Sequence, residues 1–135
     1  MKQNYGKRIK HENILNPNPG PNKEGYNYMP FVARGCSMTY RKQLWYNFTS
    51  SIVARWDREN DNSYITFEEE PGNPYDPNAI MLMCRGEFFG TMGYVGKEHT
   101  TSIKEILATC EKYRVDMIDE ENAGDSVIPL LLTWK

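Results

Sequence analysis

Cysteine is scarce in this chain: three occur among 135 residues, at Cys36, Cys84 and Cys110. They form no Cys-x-x-Cys pair, so neither a zinc site nor a disulfide framework is supported, and we expect reduced thiols. The sequence also contains no Gly-x-Ser-x-Gly elbow, Walker loop or His-Glu-x-x-His motif. We therefore expect a protein that is not an enzyme and that uses no metal and no cofactor.

Long apolar runs and an excess of positive charge are also missing. No segment approaches transmembrane length, and residues 1–6 do not contain the apolar stretch of a signal peptide, so we expect a cytoplasmic protein without a membrane partner. The net charge of −2, with 39% hydrophobic and 25% charged residues, is typical of an ordinary globular protein. It argues against a protein that coats nucleic acid by bulk electrostatics, so a nucleic-acid partner would need a local patch.

The first thirty residues differ in composition from the rest. They are weakly basic near their start and contain the run Asn-Pro-Asn-Pro-Gly-Pro-Asn at positions 16–22, where each proline prevents regular pairing and restricts the residue before it. We predict a flexible, basic, Pro/Asn-rich arm over residues 1–30. It either helps to hold a phosphate backbone or only solubilises the terminus. Residues 31–135 are predicted to form one domain.

Within that domain the pattern of apolar residues predicts short strands and one secure helix. The helix is indicated by Ile103, Ile106, Leu107 and Cys110, which recur at the spacing of an amphipathic stripe. The segment 48–56 fits a strand or a short helix equally well. Strands are predicted at residues 31–38, 64–69, 80–84, 88–95, 113–117 and 127–134. The sequence thus predicts a mainly β fold, a small curled barrel of about six strands with one α-helix plugging one end.

One stretch, Glu-Pro-Gly-Asn-Pro-Tyr-Asp-Pro-Asn-Ala-Ile at positions 70–80, separates two of these strands. Its prolines exclude a regular helix or central strand, so it is a stiff loop with Tyr75 and Asp76 at its centre. One interpretation is a structural turn in which Asp76 and Asn78 bond their own backbone. Another is a metal site with hard oxygen ligands, drawn from Glu68, Glu69, Glu70 and Asp76.

The third interpretation is a nucleic-acid contact. A carboxylate repels phosphate but accepts strongly from a hydroxyl, so Asp76 suits a terminal 3′-hydroxyl better than the interior of a strand. Tyr75 can stack on a base, a contact worth roughly 1–3 kcal/mol and tolerant of sequence. Lys97, shortly after the following strands, could neutralise the adjacent phosphate. These residue types favour recognition of the end of a strand over recognition of a base sequence.

The motif Glu-Pro-x-Asn-Pro-Tyr-Asp-Pro-Asn-Ala-Ile, followed by a hairpin ending Gly-Tyr-Val and then a helix, resembles the HIRAN domain. The resemblance is strongest over residues 67–107 and does not include residues 1–30. It implies an OB-like barrel with a helix that binds the 3′ end of single-stranded DNA through the loop residues Asn73, Tyr75 and Asp76. It also implies that Tyr94 and Lys97 belong to the site.

Two further candidates, Tyr40 and Arg41, depart from the family pattern. After its first-strand glycine the DNA-binding member has an arginine and a tyrosine pair, whereas here Tyr40 and Arg41 come a few positions late. HIRAN domains occur beside helicase and nuclease modules and alone in small bacterial and phage proteins. The resemblance therefore implies a bacterial protein of DNA repair, replication or mobile-element metabolism, with a helicase or nuclease as a further partner and no small-molecule substrate.

Two functions follow from these residues. The first is a non-catalytic module that recognises the 3′-hydroxyl end of single-stranded DNA. The alternative is a protein–protein interaction domain that kept the HIRAN fold and lost the DNA pocket, which the departure at residues 36–39 and the acidic balance favour. Cations gathered around Tyr75 would indicate DNA, and an apolar patch there would indicate a protein partner. The candidate cations are Arg34, Arg41, Lys42 and Lys97.

Overall fold

The computed structural model describes residues 14–15, 19–20, 22–52, 63–86 and 88–135. These residues form six strands, two α-helices and two short 3-10 helices, at Lys97–His99 and Glu120–Gly124. The strands are β1 (Asn27–Arg34), β2 (Ser63–Glu69), β3 (Ile80–Gly86), β4 (Gly90–Val95), β5 (Tyr113–Met117) and β6 (Val127–Trp134), and the helices are α1 (Thr39–Ile52) and α2 (Thr100–Thr109). Neither helix is long and apolar enough to cross a lipid bilayer, within the part of the chain that the structure describes.

All six strands belong to one antiparallel sheet in the order β2-β3-β4-β1-β6-β5. The sheet curls until its two end strands meet: the Phe67 N–H of β2 donates to the Tyr113 hydroxyl of β5 at 3.0 Å, and the two rings lie 5.2 Å apart. The mainly β class is confirmed. The predicted barrel is not closed, because a side chain rather than a backbone ladder joins β2 to β5 in the described residues.

The fold also has one more α-helix than predicted. The sequence fits a strand or a short helix over residues 48–56; residues 48–52 belong to α1, and residues 53–56 lie outside the described part. The side chains of α1 that are described as buried are Leu44, Trp45 and Phe48. This i, i+1, i+4 arrangement is one face of a helix. The Trp45 indole N–H donates to the Met92 carbonyl at 2.9 Å, which attaches α1 to β4.

Strand β1 begins at Asn27, four residues before its predicted start, and ends at Arg34 because Gly35 adopts a positive φ of 72°. Eight residue pairs join β1 to β6, from Asn27↔Trp134 to Arg34↔Val127. The predicted division of the chain at residue 30 stays a prediction, since residues 1–13, 16–18 and 21 lie outside the described part.

The last two strands have the predicted bounds, and Pro129 lies beside the end of the β5–β6 ladder while it remains paired with Val32 of β1. Strand β6 is an interior strand between β1 and β5. Its ladder with β5 stops at Met117↔Leu130, the residue next to Pro129. Proline has no N–H to donate, so its position just beyond the end of β5 leaves no ladder bond unmade.

Candidate nucleic-acid interface

The β2–β3 loop is built from two successive tight turns. The Asn73 N–H donates to the Glu70 carbonyl at 3.0 Å, and the Ala79 N–H donates to the Asp76 carbonyl at 3.0 Å. The ends of the loop are joined by the Glu70 N–H, which donates to the Ala79 carbonyl at 2.9 Å. The loop is therefore a continuation of the β2–β3 hairpin with a defined conformation, as its prolines predict.

Asn73 organises the tip of this loop. Its Oδ1 accepts from the backbone N–H groups of Tyr75 at 2.8 Å and Asp76 at 3.0 Å. Its Nδ2 donates to Glu70 Oε1 at 2.7 Å, and the side chain is half-buried. One amide thus positions the two residues that the sequence places at the centre of the site, through the side-chain-to-backbone bonding that favours asparagine in turns.

Tyr75 and Asp76 both face outward, with different degrees of exposure. The Tyr75 ring is 92% exposed, the largest value among the exposed hydrophobic side chains of the described residues. Asp76 is half-buried, and its Oδ1 accepts from the Asn78 N–H at 2.9 Å. No described residue donates a hydrogen bond to Asp76 Oδ2. The structural-turn interpretation is thus correct for Asp76 Oδ1 and wrong for Asn78, whose side-chain oxygen accepts from Lys104 and not from the loop backbone. Asp76 Oδ2 stays available as an acceptor.

Glu70 connects the loop to β4. Its Oε1 accepts from the Tyr94 hydroxyl at 2.9 Å as well as from Asn73 Nδ2. Burial raises the pKa of Tyr94, and the hydrogen bond to Glu70 and its negative charge raise it further, while Arg41 acts in the opposite direction. Tyr94 therefore stays protonated and donates to Glu70 throughout the physiological pH range.

Arg41 lies between two aromatic rings at the end of this network. Its Cζ is 5.6 Å from the centroid of Tyr40 and 5.7 Å from that of Tyr94, within the range of cation–π attraction. Its Nη1 donates to the Gly35 carbonyl at 2.9 Å, and its Nε donates to the Tyr40 hydroxyl at 3.3 Å. Arg41 thus contacts Tyr94 although it belongs to α1 and not to the first strand.

Gly35 permits this placement. A Cβ at Gly35 would lie 3.3 Å from Arg41 Nη1, and its φ of 72° is in the left-handed region that glycine adopts without strain. The chain therefore turns sharply after β1, and the first turn of α1 returns beside β4. This turn brings the Arg41 guanidinium to the Tyr94 ring, although Arg41 comes later in the sequence than the family pattern predicts. Tyr40 has its described contacts with Arg41.

No described hydrogen bond, ion pair or ring contact joins Tyr75 to any of the four candidate cations. Arg34 donates to Glu98 at 2.7 Å, and this bond lowers the pKa of the Glu98 carboxyl. The Lys42 side chain lies beside Gly124, where a Cβ would be 3.9 Å from Lys42 Cε. Lys97 is exposed on the 3-10 turn that follows β4. Of the four expected cations, Arg41 has a described side-chain contact with Tyr94, and Arg34 lies opposite Tyr94 in the β1–β4 ladder.

Sequence reasoning missed two members of this neighbourhood. Glu70 was considered only as a metal ligand, although its place three residues before Asn73 is the spacing of a side-chain pair in a turn. Lys104 of α2 donates to Asn78 Oδ1 at 3.3 Å and lies 3.6 Å from Glu69 Oε1. No local signal in the sequence indicates this contact, because 26 residues separate Lys104 from Asn78.

The acidic residues considered as metal ligands have separate partners. Glu68 pairs with Arg85 across the β2–β3 ladder, Glu69 lies near Lys104, and Glu70 bonds to Tyr94 and Asn73. Within the described residues, no group of three or more His, Cys, Asp or Glu side chains is close enough together to hold a metal ion.

Comparison with solved structures shows that the chain is similar to the crystal structure of the HIRAN domain of human HLTF. The sequence identity is 18% and the TM-score 0.49, and the match covers 80% of this chain and 74% of that chain. No family model matches the chain, and no curated protein matches it. The structural neighbour belongs to the family that the loop motif resembles.

Proposed function

We propose that this chain is a non-catalytic nucleic-acid-binding module that captures the free 3′-hydroxyl end of single-stranded DNA, in repair, replication or mobile-element metabolism. The observation that supports this most is the loop tip, where a 92% exposed tyrosine ring stands next to a carboxylate with one available oxygen. Asn73 holds the backbone of both residues, so the site is formed before a ligand arrives. Preorganisation of this kind lowers the ordering cost of binding.

Each side chain has a distinct role in this proposal. Tyr75 stacks on the terminal base, and Asp76 Oδ2 accepts the hydrogen bond of the 3′-hydroxyl. Arg41 and Lys97 hold the preceding phosphate, while Tyr94 and Tyr40 line the path between them. A 3′-phosphate is disfavoured, because its charge would lie beside the Asp76 carboxylate.

The test is a titration of short single-stranded oligonucleotides labelled at the 5′ end and carrying either a 3′-hydroxyl or a 3′-phosphate. When binding is followed by fluorescence anisotropy at low salt, the hydroxyl form should bind at least about tenfold more tightly, because a charge-assisted bond of roughly 1.5–3 kcal/mol is replaced by repulsion. Equal affinities would overturn end recognition. Absence of binding at low salt would overturn the nucleic-acid proposal, and a matched RNA oligonucleotide distinguishes the two polymers.

Two variants test whether the β2–β3 loop binds the oligonucleotide and causes the preference for a 3′-hydroxyl. Tyr75→Ala should weaken binding of the hydroxyl oligonucleotide by about 1–3 kcal/mol, the usual value of a stacked base. Asp76→Asn keeps an acceptor for the Asn78 N–H but loses the charge, so the preference for hydroxyl over phosphate should shrink. Phe89→Ala is the matched control, because Phe89 is 66% exposed and lies beyond the opposite end of β3. It should leave both affinities unchanged.

The alternative function is a protein-interaction domain with the same fold. Two observations favour it: the charge of Arg34 is paired with Glu98, and no described contact joins a cation to Tyr75. Under this alternative Tyr75 is an aromatic anchor for a protein partner. Absence of oligonucleotide binding, together with an intact fold, would favour it. A nuclease is disfavoured, and cleavage of the same oligonucleotides with magnesium or manganese would contradict the non-catalytic assignment.

A further inference from the structure

The free edge of β5 is covered by two residues from the N-terminal side of the chain. The Leu15 N–H donates to the Tyr113 carbonyl at 2.9 Å, and Ile14 forms an isolated parallel bridge with Tyr113. Ile14 is 5% exposed and Leu15 7% exposed, and Ile14 belongs to the hydrophobic core cluster. These two residues are therefore docked on the domain, although they precede β1.

The pairing on the other side of β5 shows that this is its outer edge. Lys112 and Lys135 exchange two backbone hydrogen bonds, at 3.0 and 3.4 Å, toward β6. Because successive residues of a strand direct their backbone groups to opposite sides, the Tyr113 N–H and carbonyl point away from β6. An edge strand presents such unpaired groups as a template for another extended segment.

A buried charged side chain completes this edge. Arg114 is 3% exposed, and its Nη1 donates to the Leu15 carbonyl at 3.0 Å. Its Nε donates to both carboxylate oxygens of Asp116 at 3.0 Å. A buried guanidinium is costly unless it is paired and hydrogen-bonded. The Asp116 carboxylate balances its charge, and the backbone carbonyl of the docked segment takes up one of its remaining donors.

We propose that the outer edge of Tyr113–Met117, with the Arg114 side chain, is a binding groove for an extended peptide with two adjacent large aliphatic residues. We call it the β5 groove. In this chain its occupant is the Ile14–Leu15 segment, docked in cis. The peptide backbone donates to the Tyr113 carbonyl and accepts from the Arg114 guanidinium, and these two bonds can form with any extended segment. Burial of the two aliphatic side chains supplies selectivity, as in other cases of strand addition.

Because the Ile14–Leu15 segment is tethered close to the β5 groove, a free peptide competes poorly with it for this groove. Eleven residues separate Leu15 from the start of β1 at Asn27, and a segment on a short linker has an effective concentration on the order of millimolar. A peptide added in trans at micromolar concentration therefore meets an occupied groove. Weakening the cis segment should expose the groove without altering it.

The experiment uses the full chain and a fluorescent peptide of residues 9–20. The chain with the double substitution Ile14→Asp and Leu15→Asp should bind this peptide at least about tenfold more tightly than the unaltered chain does, because the tethered competitor is removed. A peptide with the same two substitutions is the matched control and should not bind. Circular dichroism verifies that the variant is folded. Failure of the folded variant to bind, or equal binding by both chains, would overturn the proposal.

Hydrogen exchange on the unaltered chain gives a second measurement that needs no variant. The Leu15 amide should exchange at least about tenfold more slowly than the exposed turn amide of Gly72. Millimolar free peptide should then accelerate exchange at Leu15, because a displaced segment loses its bond to Tyr113. Exchange at Leu15 as fast as at Gly72, or protection that the peptide leaves unchanged, would contradict a displaceable occupant.

Discussion

At the scale of single residues, Glu70 is the side chain on which the geometry of the site depends. One of its oxygens accepts from both Tyr94 and Asn73, so it joins β4 to the loop tip. Glu70→Ala leaves two half-buried donors without their acceptor. We expect a loss of about 1–3 kcal/mol in the free energy of unfolding, measured by urea denaturation.

The conservative change Glu70→Gln removes the negative charge of the side chain and keeps its size. It keeps an oxygen at this position but removes the negative charge, so the pKa of Tyr94 should fall toward its ordinary value of 10.0. Burial alone still holds it above that value. An NMR pH titration of ring-labelled tyrosine measures the shift in the pKa of Tyr94. An unchanged pKa of Tyr94 would contradict the contact with Glu70.

The three thiols should differ in reactivity. Cys36 and Cys84 are fully buried, and burial raises the pKa of Cys36 to about 12, whereas Cys110 is half-buried. Because the thiolate is the reactive form, we expect a thiol reagent at pH 8 to modify Cys110 first and the other two only after unfolding. Cys110→Ala should remove the early reaction. Fast modification of all three thiols in the folded protein would contradict the packing of β1 and β3.

At the scale of elements, the close approach of β4 to the end of β1 depends on Gly93. Its φ is 150°, and a Cβ there would lie 2.8 Å from the Arg34 carbonyl oxygen and 2.9 Å from Cys36 Sγ. Gly93→Ala must move backbone, so we expect a loss of at least about 2 kcal/mol in the free energy of unfolding. Gly72→Ala is the matched control, because a Cβ there meets nothing within 4 Å. It should change stability by about 0.5 kcal/mol or less.

The elements also show what a single sequence can and cannot predict. Strands β5 and β6 follow from alternation and from runs of β-branched and apolar residues, and the α2 stripe follows from its 3.6-residue spacing. The sequence does not decide between strand and helix at residues 48–56, which begin with the buried Phe48, because aromatic residues favour strands as much as helices. Tertiary attachment through the Trp45 indole, rather than local preference, selects the helix.

The site was predictable in its local part. The prolines and Asn73 indicate a stiff turn that displays Tyr75 and Asp76, and the structure has this turn. The contact of Arg41 with Tyr94 depends on the position of α1, and that of Glu70 with Tyr94 depends on strand adjacency. Both join residues more than twenty positions apart, so local pattern holds no information about them.

At the scale of the whole molecule, stability should fall in alkaline solution. Burial raises the pKa of Cys36 from 9.0 to about 12 and that of Tyr113 above its ordinary value. Above about pH 9 the unfolded chain has therefore lost protons that the folded chain keeps, and the free energy of unfolding decreases as pH rises. This contribution is fully present below pH 9. Urea denaturation midpoints at pH 7 and pH 10.5 test the prediction, and a midpoint that is constant or higher at pH 10.5 would contradict it.

The order of strands in the sheet has a consequence for biosynthesis. Strand β1, the earliest of the six to leave the ribosome, lies in the interior of the sheet and pairs along its whole length with β6, the last. Until β6 has been translated, β1 has no partner along that side, and its apolar residues need protection from neighbouring nascent chains. The sheet is therefore completed only after β6 has been translated, and its assembly depends on pairings between residues far apart in the sequence, such as Asn27 with Trp134, a topology that slows folding.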